Sequence, residues 1–213
     1  MELFFSPMAC SLATRIALYE AGADATFTYV DTRTKRTAAG GDYWVVTPMG
    51  QVPALRTDDV LLLTENAAVL QYVAERFPAA RLMPQDSSER ARLRQWLAFI
   101  GTEVHKALFI PLLDPAAGAE VKAYARAKAE LRLGVLQQHL AQHEHLLGDF
   151  SIADAYLAAV LNWAPYAGVD LGDWPAVQHY HQRLTQRPSI AKAIGEEFAL
   201  YQQQQQARRA KAA

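Results

Sequence analysis

Cys10 stands directly before a segment of helical character, in Pro7-Met8-Ala9-Cys10-Ser11. The amides and dipole of a helix start stabilise an anion, so a thiol placed there is more acidic and becomes a better nucleophile. The same thiol can instead donate a hydrogen bond to a thiolate brought by a ligand, or fill space as a small buried hydrophobe. A second candidate is Gly50-Gln51-Val52-Pro53-Ala54-Leu55. Proline at the mouth of a strand suits an edge or a cis turn, and a cis Val52-Pro53 bond would present the Val52 N–H and C=O to an extended peptide. A plain loop running into a strand has the same sequence. The third is Leu63-Thr64-Glu65-Asn66-Ala67. With Thr64 as N-cap, the N–H groups of Glu65 and Asn66 would project as a carboxylate site, and the Glu65 charge would suit an ammonium. Together they describe a receptor for an amino-acid head group, although an acidic first turn that merely complements its helix dipole is common.

Weaker candidates lie further along. Ala98, Thr102 and His105 follow i, i+4, i+7 and form a stripe beside an apolar helical face; a surface histidine fits the same spacing. His139 and His143 have i, i+4 spacing suited to a metal, but no matching ligand set accompanies them, so no metal is expected. Asp154 reads as a capping residue rather than a catalyst. Neither a Walker loop nor a Gly-x-Gly-x-x-Gly run is present.

The elements that must position these residues change character near residue 78. Glu2 to Phe5 is a short apolar run read as a buried strand; Leu12, Ile16 and Tyr19 mark a helix that Gly22 ends. Thr26 to Val30 is β-branched and aromatic, Thr32 to Asp42 is a loop, and Pro53–Arg56 with Val60–Leu63 forms a hairpin. Val69, Leu70, Val73 and Phe77 then give a helix that Pro78 stops. This β-α-β, hairpin and closing helix make one α/β domain over 1–77. Residues 78–87 read as a linker and 88–201 as all-helical. Its first helix carries the apolar face of Leu93, Trp96, Leu97, Ile100, Val104 and Leu108, its second spans about Ala119 to His145, and a third is capped by Ser151 and Asp154. The tail, 202–213, has no apolar face and is expected to be frayed or disordered.

Composition narrows the class. The chain has 213 residues, and Lys plus Arg (21) nearly balances Asp plus Glu (22), which argues against a broad nucleic-acid surface. No apolar run approaches the ~20 residues needed to span a bilayer, so no membrane partner is expected. The N-terminus lacks the charge pattern of a secretory signal, and a lone cysteine fits a reducing, cytoplasmic setting.

Cys10-Ser11 opening the first helix, Val52-Pro53 opening a strand and Glu65-Asn66 opening the next helix resemble the glutathione site of glutathione transferases. The resemblance is closest to the bacterial beta class. It extends through Phe4-Phe5-Ser6-Pro7, Ala9-Cys10-Ser11-Leu12, Lys35 with Gly41-Asp42-Tyr43, Gln71-Tyr72, Trp96-Leu97, Glu103-Val104-His105-Lys106 and Gly148-Asp149-Phe150-Ser151-Ile152-Ala153-Asp154-Ala155-Tyr156. Ala-Cys-Ser-Leu and Glu-Val-His-Lys are the more class-specific pieces.

The resemblance implies a thioredoxin-like α/β N-terminal domain followed by an all-α C-terminal domain. It implies glutathione as co-substrate, a small hydrophobic electrophile as second substrate, and a homodimer. Cys10 and His105 would be the catalytic pair, with Cys10 at the glutathione sulfur. Val52 would pair with the cysteinyl backbone, and Glu65 and Asn66 would hold the γ-glutamyl head. Lys35, Glu103 and Trp163 would complete the binding set, Lys35, His105 and Trp163 near the sulfur or the glycyl end. Phe5 and Ala98 depart from the family, which has tyrosine and asparagine there. Two rival functions share this scaffold: thiol–disulfide exchange through Cys10, and a non-catalytic binding or adaptor role.

Overall fold

The computed structural model describes residues 1–212. They divide into two compact units, Met1–Ala80 together with the chain from Arg187 onward, and Arg81–Gln186.

The first unit is built on a five-stranded mixed sheet of order β3-β2-β1-β4-β5. Strands β1 (Glu2–Phe5) and β2 (Thr26–Asp31) are parallel and are joined by helix α1 (Leu12–Glu20). Gly22, at φ 61°, ends that helix, a conformation glycine adopts without steric cost. β3 (Arg36–Thr37) pairs antiparallel with β2 inside the segment expected to be all loop. Two residues are too short to leave a periodic signal. After a 3-10 turn at Tyr43–Val45, β4 (Ala54–Arg56) and β5 (Leu62–Thr64) form the hairpin, and helix α2 (Asn66–Arg76) follows. Alternation along β1 sends Phe4 to a cluster with Val30, Tyr43, Val52 and Ala54, while Phe5 meets Phe27, Tyr29 and Arg15. Phe4, Phe5, Leu12 and Ile16 are almost wholly buried, each worth roughly 1.5–3 kcal/mol.

The second unit is helical. α3 (Ser87–Phe99) starts at Asp86, whose side chain accepts from the Ser88 and Glu89 amides. It runs without interruption into a π-helical stretch, Ile100–Phe109, and then α4 (Ile110–Leu113). This 27-residue helix is long and apolar enough by composition to cross a membrane, although no run of that kind was expected from the sequence. Its Leu93, Leu97, Ile100, Val104 and Leu108 are buried, and its neighbours include α6 and α7 of the same unit. The expected second helix is two, α5 (Ala119–Ala127) and α6 (Ala129–Leu140), interrupted at Lys128. α7 (Ile152–Leu161) has the expected capping box of Ser151 and Asp154. Asp154, fully buried, also accepts from the Leu146 amide and the Tyr180 hydroxyl. Helices α8 (Ala164–Ala167) and α9 (Pro175–Thr185) complete the unit.

The final helix, α10 (Pro188–Ala212), packs on α1 and belongs to the first unit. It falls within the helical domain expected over 88–201 and the frayed or disordered tail expected over 202–213. Residues 202–212 are helical, and Ala213 lies outside the described residues. Alanine, glutamine, arginine and lysine are strong helix formers, so this segment extends the helix without an apolar face of its own. Arg208 reaches Asp31 at the end of β2, 3.6 Å away.

Candidate functional site

In the first unit, the turn between β1 and α1 carries Cys10. Its shape is set by local bonds: the Ala9 amide donates to the Ser6 carbonyl at 3.1 Å, and the Ser6 amide donates to Ser11 Oγ at 3.3 Å. The amides of Leu12 and Ala13 already serve the Ala9 and Cys10 carbonyls. The start of α1 therefore offers an anion fewer free donors than the sequence suggests, and the dipole carries more of the effect.

Cys10 is half-buried, and its Sγ donates to the Val52 carbonyl at 3.2 Å. Val52-Pro53 is cis, the one alternative that the sequence could not select. Asn66 joins the same turn: its Nδ2 donates to the Cys10 carbonyl at 2.8 Å, and its Oδ1 accepts from Thr14 Oγ1 at 3.1 Å. The Asn66 side chain thus braces the thiol turn.

Glu65, not Thr64, is the N-cap of α2, and it makes no side-chain capping bond. Thr64 ends β5 instead. Glu65 sits at φ 67°, ψ 115°, a backbone conformation that costs a non-glycine residue on the order of 1–3 kcal/mol. Its side chain is exposed, so the strained position presents an uncommitted carboxylate to solvent.

Lys35 Nζ donates to the Gly50 carbonyl at 2.7 Å and lies 5.5 Å above the Trp44 ring. Tyr43 Oη donates to the Gln51 carbonyl at 2.8 Å. Lys35 and Tyr43 thereby hold the segment that leads into Val52. Gly50, at φ 56°, is needed because a Cβ there would meet the Trp44 ring at 2.8 Å. The structure thus links Cys10, Val52 and Asn66 directly, and ties Lys35 to the Gly50–Val52 segment.

The second unit carries the remaining candidates. His105 lies on the π-helical stretch, a geometry that recurs at functional sites. The ring is buried, with Nδ1 2.7 Å from Tyr156 Oη and the Trp163 ring 5.0 Å away, edge to face. Burial, aided by the Lys106 charge, pushes the imidazole down to about 4. It is neutral near pH 7 and acts by hydrogen bonding rather than by charge. Glu103 is half-exposed and forms a 2.7 Å ion pair with Arg132. His139 and His143 stack at 4.2 Å, and among the described residues no group of three His, Cys, Asp or Glu could hold a metal.

Sequence reasoning missed three participants. Tyr156, within the matched stretch, fixes His105. Met8, two residues before Cys10, adopts φ 59°, and its amide donates to Glu197 on α10 at 2.7 Å. No local pattern marks Glu197, because an acid beside Glu196 in a polar stretch looks like a solvated face.

Comparison with known proteins bears on both units. Residues 7–76 match the family model described as Glutathione S-transferase, N-terminal domain, and residues 100–188 match Glutathione S-transferase, C-terminal domain. Glutathione S-transferase GstA of Escherichia coli O157:H7 is 41% identical over 199 residues, covering 92% of this chain and 98% of that protein. A sphingomonad glutathione S-transferase solved in complex with glutathione has 44% identity and a TM-score of 0.89, covering 92% of this chain and 98% of that one. The bacterial beta class glutathione S-transferase of Sphingomonas chungbukensis has 43% identity and a TM-score of 0.88, with the same two coverages.

Proposed function

This chain belongs to the glutathione S-transferase family, and from that premise we propose which residues carry the reaction. The chain is a beta-class-like transferase, and glutathione is its co-substrate. The glutathione thiolate attacks an electrophilic carbon, a carbon–sulfur bond forms, and the leaving group departs with its electron pair.

Cys10 lies at the glutathione sulfur, where its S–H turns from the Val52 carbonyl to the incoming thiolate. The Val52 backbone pairs with the cysteinyl residue. The Glu65 carboxylate takes the γ-glutamyl ammonium, the start of α2 at Asn66 takes the carboxylate, and Lys35 serves the glycyl end. His105, oriented by Tyr156 and flanked by Trp163, contributes a neutral hydrogen-bonding nitrogen. Glu103 acts with Arg132. Holding thiolate and electrophile together converts a bimolecular step into an effectively unimolecular one.

The observation that carries this reading is the contact set Cys10–Val52–Asn66, which joins the three candidate segments at one turn. The electrophile is small and hydrophobic, the setting is cytoplasmic and the role is detoxification. The chain forms a homodimer, supported by the large apolar side chains exposed at Trp44, Val45 and Met49 in one unit and Leu131 and Val135 in the other.

The test combines turnover with mass. Glutathione conjugation of a chloronitrobenzene is expected, with calorimetric binding of glutathione that weakens about tenfold in Glu65→Gln, the loss of one charge-assisted bond. After incubation with oxidised glutathione, intact mass spectrometry is expected to show one reductant-sensitive adduct that is absent from Cys10→Ala. An adduct without turnover would favour thiol–disulfide exchange, in which the Cys10 thiolate displaces one glutathione thiolate. Binding with neither adduct nor turnover would favour a carrier or adaptor, and no binding would overturn the site.

A further inference from the structure

Glu197 is a carboxylate at 0% exposure that the conjugation step does not use. It projects from α10, and its Oε2 accepts the Met8 N–H at 2.7 Å. Met8 sits two residues before Cys10 in the left-handed region, at φ 59°. That conformation costs a residue other than glycine about 1–2 kcal/mol, so something must hold it.

The other carboxylate oxygen, Oε1, is 3.5 Å from Arg15 Nε, and neither atom completes a hydrogen bond. The Arg15 guanidinium is sandwiched between Phe5 and Phe27, 4.3 and 4.2 Å from their ring centres, and reaches Glu196 at 3.5 Å. Glu196 in turn accepts from Tyr19 Oη. An ion pair buried this deeply seldom recovers the desolvation of its two charges. Burial pushes the Glu197 carboxyl up to about 8 even with Arg15 and the Met8 amide pulling it down. A pair of aliphatic side chains would seat α10 on α1 as well or better. Aliphatic side chains cannot accept the Met8 amide. The feature unique to Glu197 is therefore directional, and it points at the turn that carries the thiol.

We propose that Glu197 is a positioning residue for the glutathione site: from α10 it fixes Met8, and through Met8 it sets where Cys10 stands against the Val52 carbonyl and Asn66. This rests on the assignment of the Cys10 turn to glutathione. In the held turn the thiol donates to a carbonyl, which favours its protonated form, and it is half-buried. Releasing the turn exposes the thiol and frees it to ionise.

The experiment compares Arg15→Leu/Glu197→Leu, which removes the guanidinium and the carboxyl with its acceptor, with Glu197→Gln, which keeps an acceptor oxygen. Thermal melting reports the fold, iodoacetamide alkylation reports Cys10, and steady-state kinetics on a chloronitrobenzene separates KM for glutathione from kcat. The double variant is expected to melt at or above the wild-type temperature, to alkylate at least fivefold faster, and to raise KM for glutathione at least fivefold with kcat within twofold. Glu197→Gln is expected to stay within twofold of wild type in every reading. A folded double variant with wild-type alkylation overturns the hold on the turn. Accelerated alkylation with unchanged KM removes the turn from the glutathione site, and the proposal with it. Should the double variant not fold, hydrogen exchange on the wild-type protein decides. The Met8 amide is expected to be protected like the buried amides of α10, and exchange at the rate of an exposed loop overturns the proposal.

Discussion

His105 shows how burial selects among the roles a residue type allows. A histidine in a transferase invites a cationic or general-base role, yet this ring is enclosed and bonded to Tyr156. Its affinity for a proton falls to about 4, so near neutral pH it has no positive charge to lend a thiolate and little basicity. The expected result of a histidine NMR titration is a midpoint near 4 for His105. The pH profile of kcat/KM between 5.5 and 8 should then carry no ionisation from it. A midpoint above 6 would restore the cationic role. Cys10 makes the complementary point. The sequence places it before a helix, but only the structure reveals that its S–H is engaged by the Val52 carbonyl and that two of the nearby amides are already paired.

At the scale of elements, the start of α2 holds the clearest tension between stability and activity. Glu65 occupies a strained backbone position and gains no capping bond in return. Glu65→Gly should relieve the strain and stabilise the fold by about 1 kcal/mol after glycine's own entropic cost, while KM for glutathione rises about tenfold as the carboxylate is lost. Urea denaturation and kinetics check the two effects; a destabilised variant would show that the position is unstrained. Elements with a repeating apolar signal were legible: β1, α1, the hairpin, α2 and the capped start of α7. Those without one were not. β3 is two residues long, the break at Lys128 has no proline or glycine, and the π-helical stretch differs from an α-helix only in where its hydrogen bonds close. Of the candidate site, the segments around Cys10, Val52 and Glu65 were legible because helix starts and strand mouths are written locally. Their bracing by Asn66, Tyr43 and Glu197 spans 8 to 189 residues of chain, and no local pattern records contacts of that range.

For the whole molecule, three buried groups shape stability against pH. His105 and His181 bind protons near 4 in the folded state, against about 6.5 in an unfolded chain. Between those values the unfolded chain holds more protons, so their contribution is complete above pH 6.5 and is lost as pH falls toward 4. Glu197 has the opposite sign. Its folded value of about 8 exceeds 4.5, so its contribution is present below 4.5 and is lost as pH rises to 8. Below 6.5 the two histidines outweigh one carboxyl. Above it Glu197 prevails and, against what the histidines still add, removes about 1 kcal/mol by pH 8. Urea midpoints should therefore peak near pH 6.5, and Glu197→Gln should flatten the alkaline limb and steepen the acid one. A wild-type curve that is flat from 6.5 to 8 would exclude the Glu197 contribution.

The first unit is discontinuous: α10 closes it from the far end of the chain, and all of the helical unit lies between. On a ribosome adding about 5–20 residues per second, the first eighty residues wait roughly 5–20 s for the partner that completes them. During that interval the helical unit can already be folding. The sheet emerges first and is finished last, and the turn bearing Cys10 gains its Glu197 anchor only after residue 197 has left the exit tunnel. A polypeptide released before residue 187 could acquire a complete helical unit and still lack a finished thiol turn. Translation order thus leaves the thiol turn unrestrained while the helical unit is made, and Glu197 takes hold of it only afterwards.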